Sequence, residues 1–219
     1  MAIEDLDNVG FPDDSESKCP CILLLDVSAS MSGEPIAQLN NGLLTFQEEV
    51  QNDDLAALRV EVAIISFGGR VTVEQDFIRA DKFQPQTLHA RGGTPMGEAI
   101  NLALDMLRQR KDIYRQNGVP YYRPWIFLIT DGAPTDEWQA AAQRVKREED
   151  NKSASFFAVG IQGADMKTLS HVAFRKPKML NGLQFKEMFL WLSASLTKVS
   201  HSQTSEQTRL DSTDDWAHS

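Results

Sequence analysis

Four short segments of this chain are apolar almost without interruption: "CILLLDV" from Cys21, "RVEVAIISF" from Arg59, "RPWIFLIT" from Arg123 and "ASFFAVGI" from Ala154. Runs of this length read as β-strands, and a strand without polar alternation is covered on both faces. Between them lie stretches with helical periodicity. In "GEPIAQLNNGLLTFQEEV", Ile36, Leu39, Leu43, Leu44 and Phe46 recur at near-helical spacing, with Pro35 suited to the first turn. In "PMGEAINLALDMLRQRK", Met96, Ile100, Leu104 and Leu107 fall on one stripe. Strands alternating with helices, and strands needing cover on both sides, give an α/β fold: a three-layer α/β/α sandwich around a mostly parallel sheet.

The remaining elements fill in this frame. Gly68 and Gly69 make a tight turn into "VTVEQDFI", which predicts a hairpin and one antiparallel edge strand. "TDEWQAAAQRVKREEDN" reads as a helix capped by Thr135 or Asp136. A short helix is expected at 165–171, a short strand at 178–180, and a closing helix over "LQFKEMFLWLSASLTKV". Residues 18–199 form the predicted domain. Residues 1–17 carry Glu4, Asp5, Asp7, Asp13, Asp14 and Glu16 without a Lys or Arg, and read as a solvated acidic arm. Residues 200–219 read as a polar, disordered tail, with Trp216 either an ordinary tail residue or a short docking motif. Trp125 and Trp191 are expected to pack under helices, and Trp138 to face solvent in part.

In a sheet of this kind, ligands bind beyond the carboxyl ends of the strands. Three loops leave that edge. The first carries Asp26, Ser28 and Ser30 at alternate positions, which share a face in extended geometry. In the second, "ARGGTPMGEA", Gly92 and Gly93 let the backbone bend close to its neighbours. Thr94 there can cap the following helix, face the site, or both. In the third, "LITDGAPTD", Asp131 follows a buried strand directly, where an unpartnered acid is costly. Together the loops offer two carboxylates and three hydroxyls. An all-oxygen set suits a hard cation, Mg²⁺ first, with Mn²⁺ or Ca²⁺ as alternatives. The lack of His and Cys at this edge argues against zinc or copper.

The segments "DVSAS", "GGTP" and "TDGAPTD" resemble the metal-ion-dependent adhesion site of von Willebrand factor A domains. The resemblance covers about residues 20–197. With "LLLDVSASMSGEPIAQLNNGL", "ISFGG" and "ARGGTPMGEAI", the chain is more similar still to the bacterial tellurite-resistance TerY-type subgroup. The resemblance implies that Ser28, Ser30 and Thr94 hold a metal directly, with Asp26 and Asp131 acting mainly through water. It implies a protein partner that supplies an Asp or Glu to the ion, and kinase-like and phosphatase-like proteins as company in a stress or phospho-signalling assembly. Ala29 stands where many relatives carry glycine. Relatives of the subgroup often carry a C-terminal cysteine-rich metal-binding module, which this sequence does not contain.

Other classes fit less well. The net charge of −9 gives no basic footprint for nucleic acid. No apolar run approaches the ~18 residues that span a membrane, and the acidic start lacks a secretory pattern, so the expected location is cytoplasmic. Cys19 and Cys21, separated by Pro20, make neither a zinc site nor an unstrained disulfide. For a hydrolase, no G-x-S-x-G elbow exists, and His89, His171, His201 and His218 do not follow strands as a catalytic base commonly does. There is neither a G-x-G-x-x-G after the first strand nor a P-loop. The expectation is a binding module and not an enzyme, with a metal-dependent hydrolase or phosphatase at the same site as the alternative.

Overall fold

The computed structural model describes residues 16–204 and 208–218. In chain order the elements are β1 (Cys19–Asp26), α1 (Glu34–Gln51), α2 (Asp54–Arg59), β2 (Val60–Gly68), β3 (Arg70–Arg79), α3 (Met96–Gln116), β4 (Trp125–Thr130), α4 (Gln139–Asp150), β5 (Ser155–Gly160), α5 (Met166–Val172), β6 (Lys178–Leu180), α6 (Phe185–Ser200) and β7 (Ala217–His218). The strands form one sheet in the order β3-β2-β1-β4-β5-β6-β7. β1, β2, β4, β5 and β6 run parallel, and β3 pairs antiparallel with β2 at one edge.

The layers follow from side-chain alternation. Along β1, Cys21, Leu23 and Leu25 join the core under α1 and α6, while Ile22 and Leu24 join the core under α3 and α4. Every residue of β1, β2 and β4 is buried, which is why these segments are apolar apart from Glu61 and Ser66 in β2 and the terminal Asp26 and Thr130. β3, at the edge, is exposed or partly exposed along its whole length. Among the described residues no helix is long and apolar enough to cross a membrane. Both cysteines are buried free thiols, and burial pushes that of Cys19 up to about 12.

The structure departs from the sequence reading in three places. A one-turn-and-a-half helix, α2, precedes β2; Asp53 caps it by accepting from Ala56 N at 2.8 Å. α4 starts at Gln139, two or three residues later than a cap at Asp136 or Thr135 would set it, because those side chains bond Thr94 and the first turn of α3. The tail is also corrected. Residues 208–218 fold back over the sheet, and β7 pairs antiparallel with β6, giving a second antiparallel edge. Trp216 is buried, 5.4 Å from the ring of Trp191. A large aromatic and a strand edge together offset the polarity of the rest of the segment. Most of the expected acidic arm lies outside the described residues; within them, Glu16 pairs with Arg59 at 2.5 Å.

Trp125 is buried against Phe157 at 4.9 Å, Trp191 lies half-buried over Phe127, and Trp138 is half-exposed beside His171.

Candidate metal centre

The sheet order reverses at β1. The chain leaves β1 toward β2 on one side, while β4 on the other side leads to β5. Loops that depart in opposite directions open a crevice at the carboxyl ends of those two strands. Asp26 ends β1 and Thr130 ends β4, and the register Leu25 opposite Ile129 sets them side by side.

Asp26 has no exposed surface. Its Oδ1 accepts from Ser28 N at 2.8 Å, and its Oδ2 accepts from Thr130 Oγ1 at 2.5 Å. Burial pushes the Asp26 carboxyl above the usual carboxylate range, and the nearby Asp131 charge adds to that; the bonds from Ser28 and Thr130 pull the other way. Ser28 Oγ and Ser30 Oγ lie 3.0 Å apart. Both reach the same acceptor: Ser30 Oγ donates to Asp131 Oδ1 at 2.8 Å, and Ser28 Oγ at 3.4 Å. Thr94 is buried, and a methyl placed on Gly132 would sit 3.5 Å from Thr94 Oγ1 and 4.0 Å from Ser30 Oγ. The five side chains expected to act together are therefore brought to one crevice, with Asp26 at its floor and Ser30 exposed at its mouth.

Backbone contacts lock the three loops to one another. Arg91 N donates to Val27 O at 2.7 Å, and Ala29 N donates to Gly92 O at 2.9 Å. Gly69 N, in the β2–β3 turn, donates to Gly93 O at 2.7 Å. Gly92 has φ +64°, and a Cβ there would lie 2.4 Å from Gly69 Cα, so both its conformation and its packing require glycine. Thr94 and Thr135 bond reciprocally: Thr94 N donates to Thr135 Oγ1 at 3.0 Å, and Thr135 N to Thr94 O at 2.9 Å. Pro95 holds the cap position of α3 and supplies no side-chain acceptor. The cap comes from the third loop instead. Asp136 accepts from Gly97 N at 3.0 Å and from Glu98 N at 2.8 Å, placing its charge at the positive end of α3.

Sequence reasoning missed Thr130, and it gave Thr135 and Asp136 to the wrong helix. A threonine opposite an aspartate at the ends of paired strands is visible only once the strand register is known. None of the four histidines joins the crevice. His89 is exposed, His171 bonds Lys167 O, His201 pairs with Asp53, and His218 bonds Asn181.

The donor chemistry fits a hard dication. All donors are oxygen, and two carboxylates crowd one crevice where a cation relieves their repulsion. Among the described residues no three His, Cys, Asp or Glu side chains cluster, as expected where hydroxyls outnumber carboxylates.

The family model for the von Willebrand factor type A domain matches residues 21–187. The chain is 26% identical over 149 residues to inter-alpha-trypsin inhibitor heavy chain H4 of Sus scrofa, a match covering 64% of this chain and 15% of that protein. Among solved structures, the pilus adhesin SpaC of Lactobacillus rhamnosus GG, in its open conformation, superimposes with a TM-score of 0.66 at 17% identity, covering 83% of this chain and 30% of that one. The manganese-loaded TRAP protein of Plasmodium vivax superimposes with a TM-score of 0.53 at 16% identity, covering 80% and 74%. This chain thus spans a minor part of the first two proteins, and the structural matches speak to the fold.

Proposed function

Because the chain belongs to the von Willebrand factor type A domain family, whose members commonly mediate metal-dependent protein interactions, we propose that the crevice is a metal-ion-dependent adhesion site. The observation that carries this reading is the meeting of Ser28, Ser30 and Asp131 oxygens within hydrogen-bond reach above the buried Asp26 carboxyl. Ser28, Ser30 and Thr94 would hold a divalent cation through their hydroxyls, with Asp26 and Asp131 engaging it through water. Mg²⁺ suits this set, with Mn²⁺ or Ca²⁺ as alternatives. Bound there, the ion supplies an electrophilic position that welcomes one acidic oxygen from outside.

The chain's own residues do the rest. Asp131 fixes both serine hydroxyls in direction, and Thr130 fixes Asp26 beneath them. Asp136 ties the third loop to the start of α3 and so holds Thr94 in position. A partner protein would present an Asp or Glu to this crevice, and the exposed loop residues around it would set the selectivity. We read the site as one for binding, not catalysis: among the described residues each histidine is exposed or bonded elsewhere, and the carboxylate beside Ser28 and Ser30, Asp131, is itself one of the groups that would engage the ion.

The resemblance to tellurite-resistance proteins of the TerY type suggests kinase-like and phosphatase-like partners in a bacterial stress or phospho-signalling assembly. This is reasoning by analogy with relatives. A cytoplasmic setting accords with two buried thiols left unpaired. Calorimetric titration with Mg²⁺ and with Mn²⁺ tests the site: saturable binding is expected, and it is lost in the double variant Thr94→Ala, Asp131→Ala. Titration curves that are the same in wild type and double variant would overturn the reading.

A further inference from the structure

Away from the crevice, the C-terminal segment leaves a cavity of about 230 Å³ between itself, α6 and the sheet. Its walls are aromatic: Phe127 of β4, Phe157 of β5, Trp191 of α6 and Trp216, with Leu210 across from them. The rings form a connected set, with Phe127 6.0 Å from Phe157, 6.4 Å from Trp191, and Trp191 5.4 Å from Trp216. An engineered apolar cavity of about 150 Å³ accommodates one benzene ring. This one is about half as large again, which suits a two-ring aromatic.

Polar groups at the cavity point to one sign of charge. Arg175, Lys176 and Lys178 all contribute to its lining. Arg175 is held by Glu149 at 3.1 Å and lies 5.3 Å above the Phe157 ring. The one carboxylate of the lining, Asp211, is turned to Lys198 at 3.1 Å, and its backbone carbonyl accepts from Trp191 Nε1 at 3.1 Å. Lys176 is exposed and has no ion pair among the described residues.

We propose that this cavity is a binding site for a small bicyclic aromatic carboxylate, its rings among Phe127, Phe157, Trp191 and Trp216 and its carboxylate toward Lys176. The C-terminal segment thereby supplies one wall of a ligand site that the sheet and α6 leave incomplete. None of the five residues proposed to hold the metal lines this cavity, so the two sites are separable by experiment.

The test uses the full chain and three probes: 2-naphthoate, its neutral amide, and the cation of 2-(aminomethyl)naphthalene. Ligand-observed NMR and quenching of tryptophan fluorescence report binding. The expected result is saturable binding of 2-naphthoate, weaker binding of the amide and weakest of the cation. Lys176→Glu, on the surface, lowers naphthoate affinity about fivefold. Leu210→Trp fills the space and removes binding, with folding checked by circular dichroism. Absence of saturable naphthoate binding, equal affinity for the cation, or undiminished binding in a folded Leu210→Trp protein would each overturn the proposal.

Discussion

Replacing Thr130 by valine isolates one bond at the floor of the crevice. Valine matches the shape of threonine, so no cavity forms, and the change removes the hydroxyl that donates to Asp26 Oδ2 at 2.5 Å. That hydroxyl also accepts from Gly132 N, but at 3.3 Å the contact is weak. A hydrogen bond to a buried charged group is worth about 1.5–3 kcal/mol, so without divalent ions at neutral pH the variant should lose about 2 kcal/mol. For a domain of this size that lowers Tm by roughly 4–8 °C. The pH dependence separates this cause from simple repacking. Burial first, with Asp131 adding, has raised the Asp26 carboxyl above its unfolded value. A carboxyl raised on folding opposes stability when ionised, and that opposition is absent below the unfolded value of roughly 3.9. It grows as pH climbs through the folded value and is complete above it. Losing the Thr130 bond raises the folded value further, so the deficit grows as pH climbs and is full above the variant's folded value. It shrinks to about 1 kcal/mol in acid, where the lost bond is one to a neutral group. Urea unfolding in chelator at a series of pH values measures this. A deficit below about 0.5 kcal/mol at neutral pH, or one that stays constant down to acid pH, would refute the reasoning.

Four other perturbations probe the same architecture. Asp26→Asn removes the buried charge and its repulsion with Asp131; in chelator at neutral pH the variant should melt no lower than wild type, while calorimetry with Mn²⁺ shows no saturable binding. A Cβ at position 97 would lie 2.4 Å from Glu137 O, so Gly97→Ala must push α3 from the third loop, costing about 1–3 kcal/mol in urea unfolding and weakening Mn²⁺ binding. Asp136→Ala strips the cap of α3 and should cost about 1–2 kcal/mol by the same measurement, with weaker Mn²⁺ binding because Thr94 loses its anchor. Trp216→Ala should cost about 3 kcal/mol and expose the amide of Asn181, which bonds Trp216 O at 2.8 Å, to faster hydrogen exchange; an unchanged unfolding midpoint would mean the segment is not docked in solution.

What the sequence disclosed, and what it hid, divides along a physical line. β1, β2, β4 and β5 were legible because burial on both faces demands apolar residues at every position, a pattern that needs no knowledge of neighbours. The convergence of Asp26, Ser28, Ser30, Thr94 and Asp131 was legible because a parallel sheet delivers all its strand ends to one edge. Thr130 was hidden because its role depends on the pairing of Leu25 with Ile129, and no local pattern encodes register between strands separated by nearly half of the chain. Asp136 precedes a helix and looks like its cap, but the tight approach at Gly97 gives it two closer donors on α3. The tail was misread for a related reason. Its average polarity is that of a solvated segment, yet Trp216 is buried against Trp191 of α6 and the residues after it pair with β6. Thr130 and Asp136 each find their partners far back along the chain. The meeting of the three loops could be read because the topology of the sheet, legible by itself, brings their distant residues together.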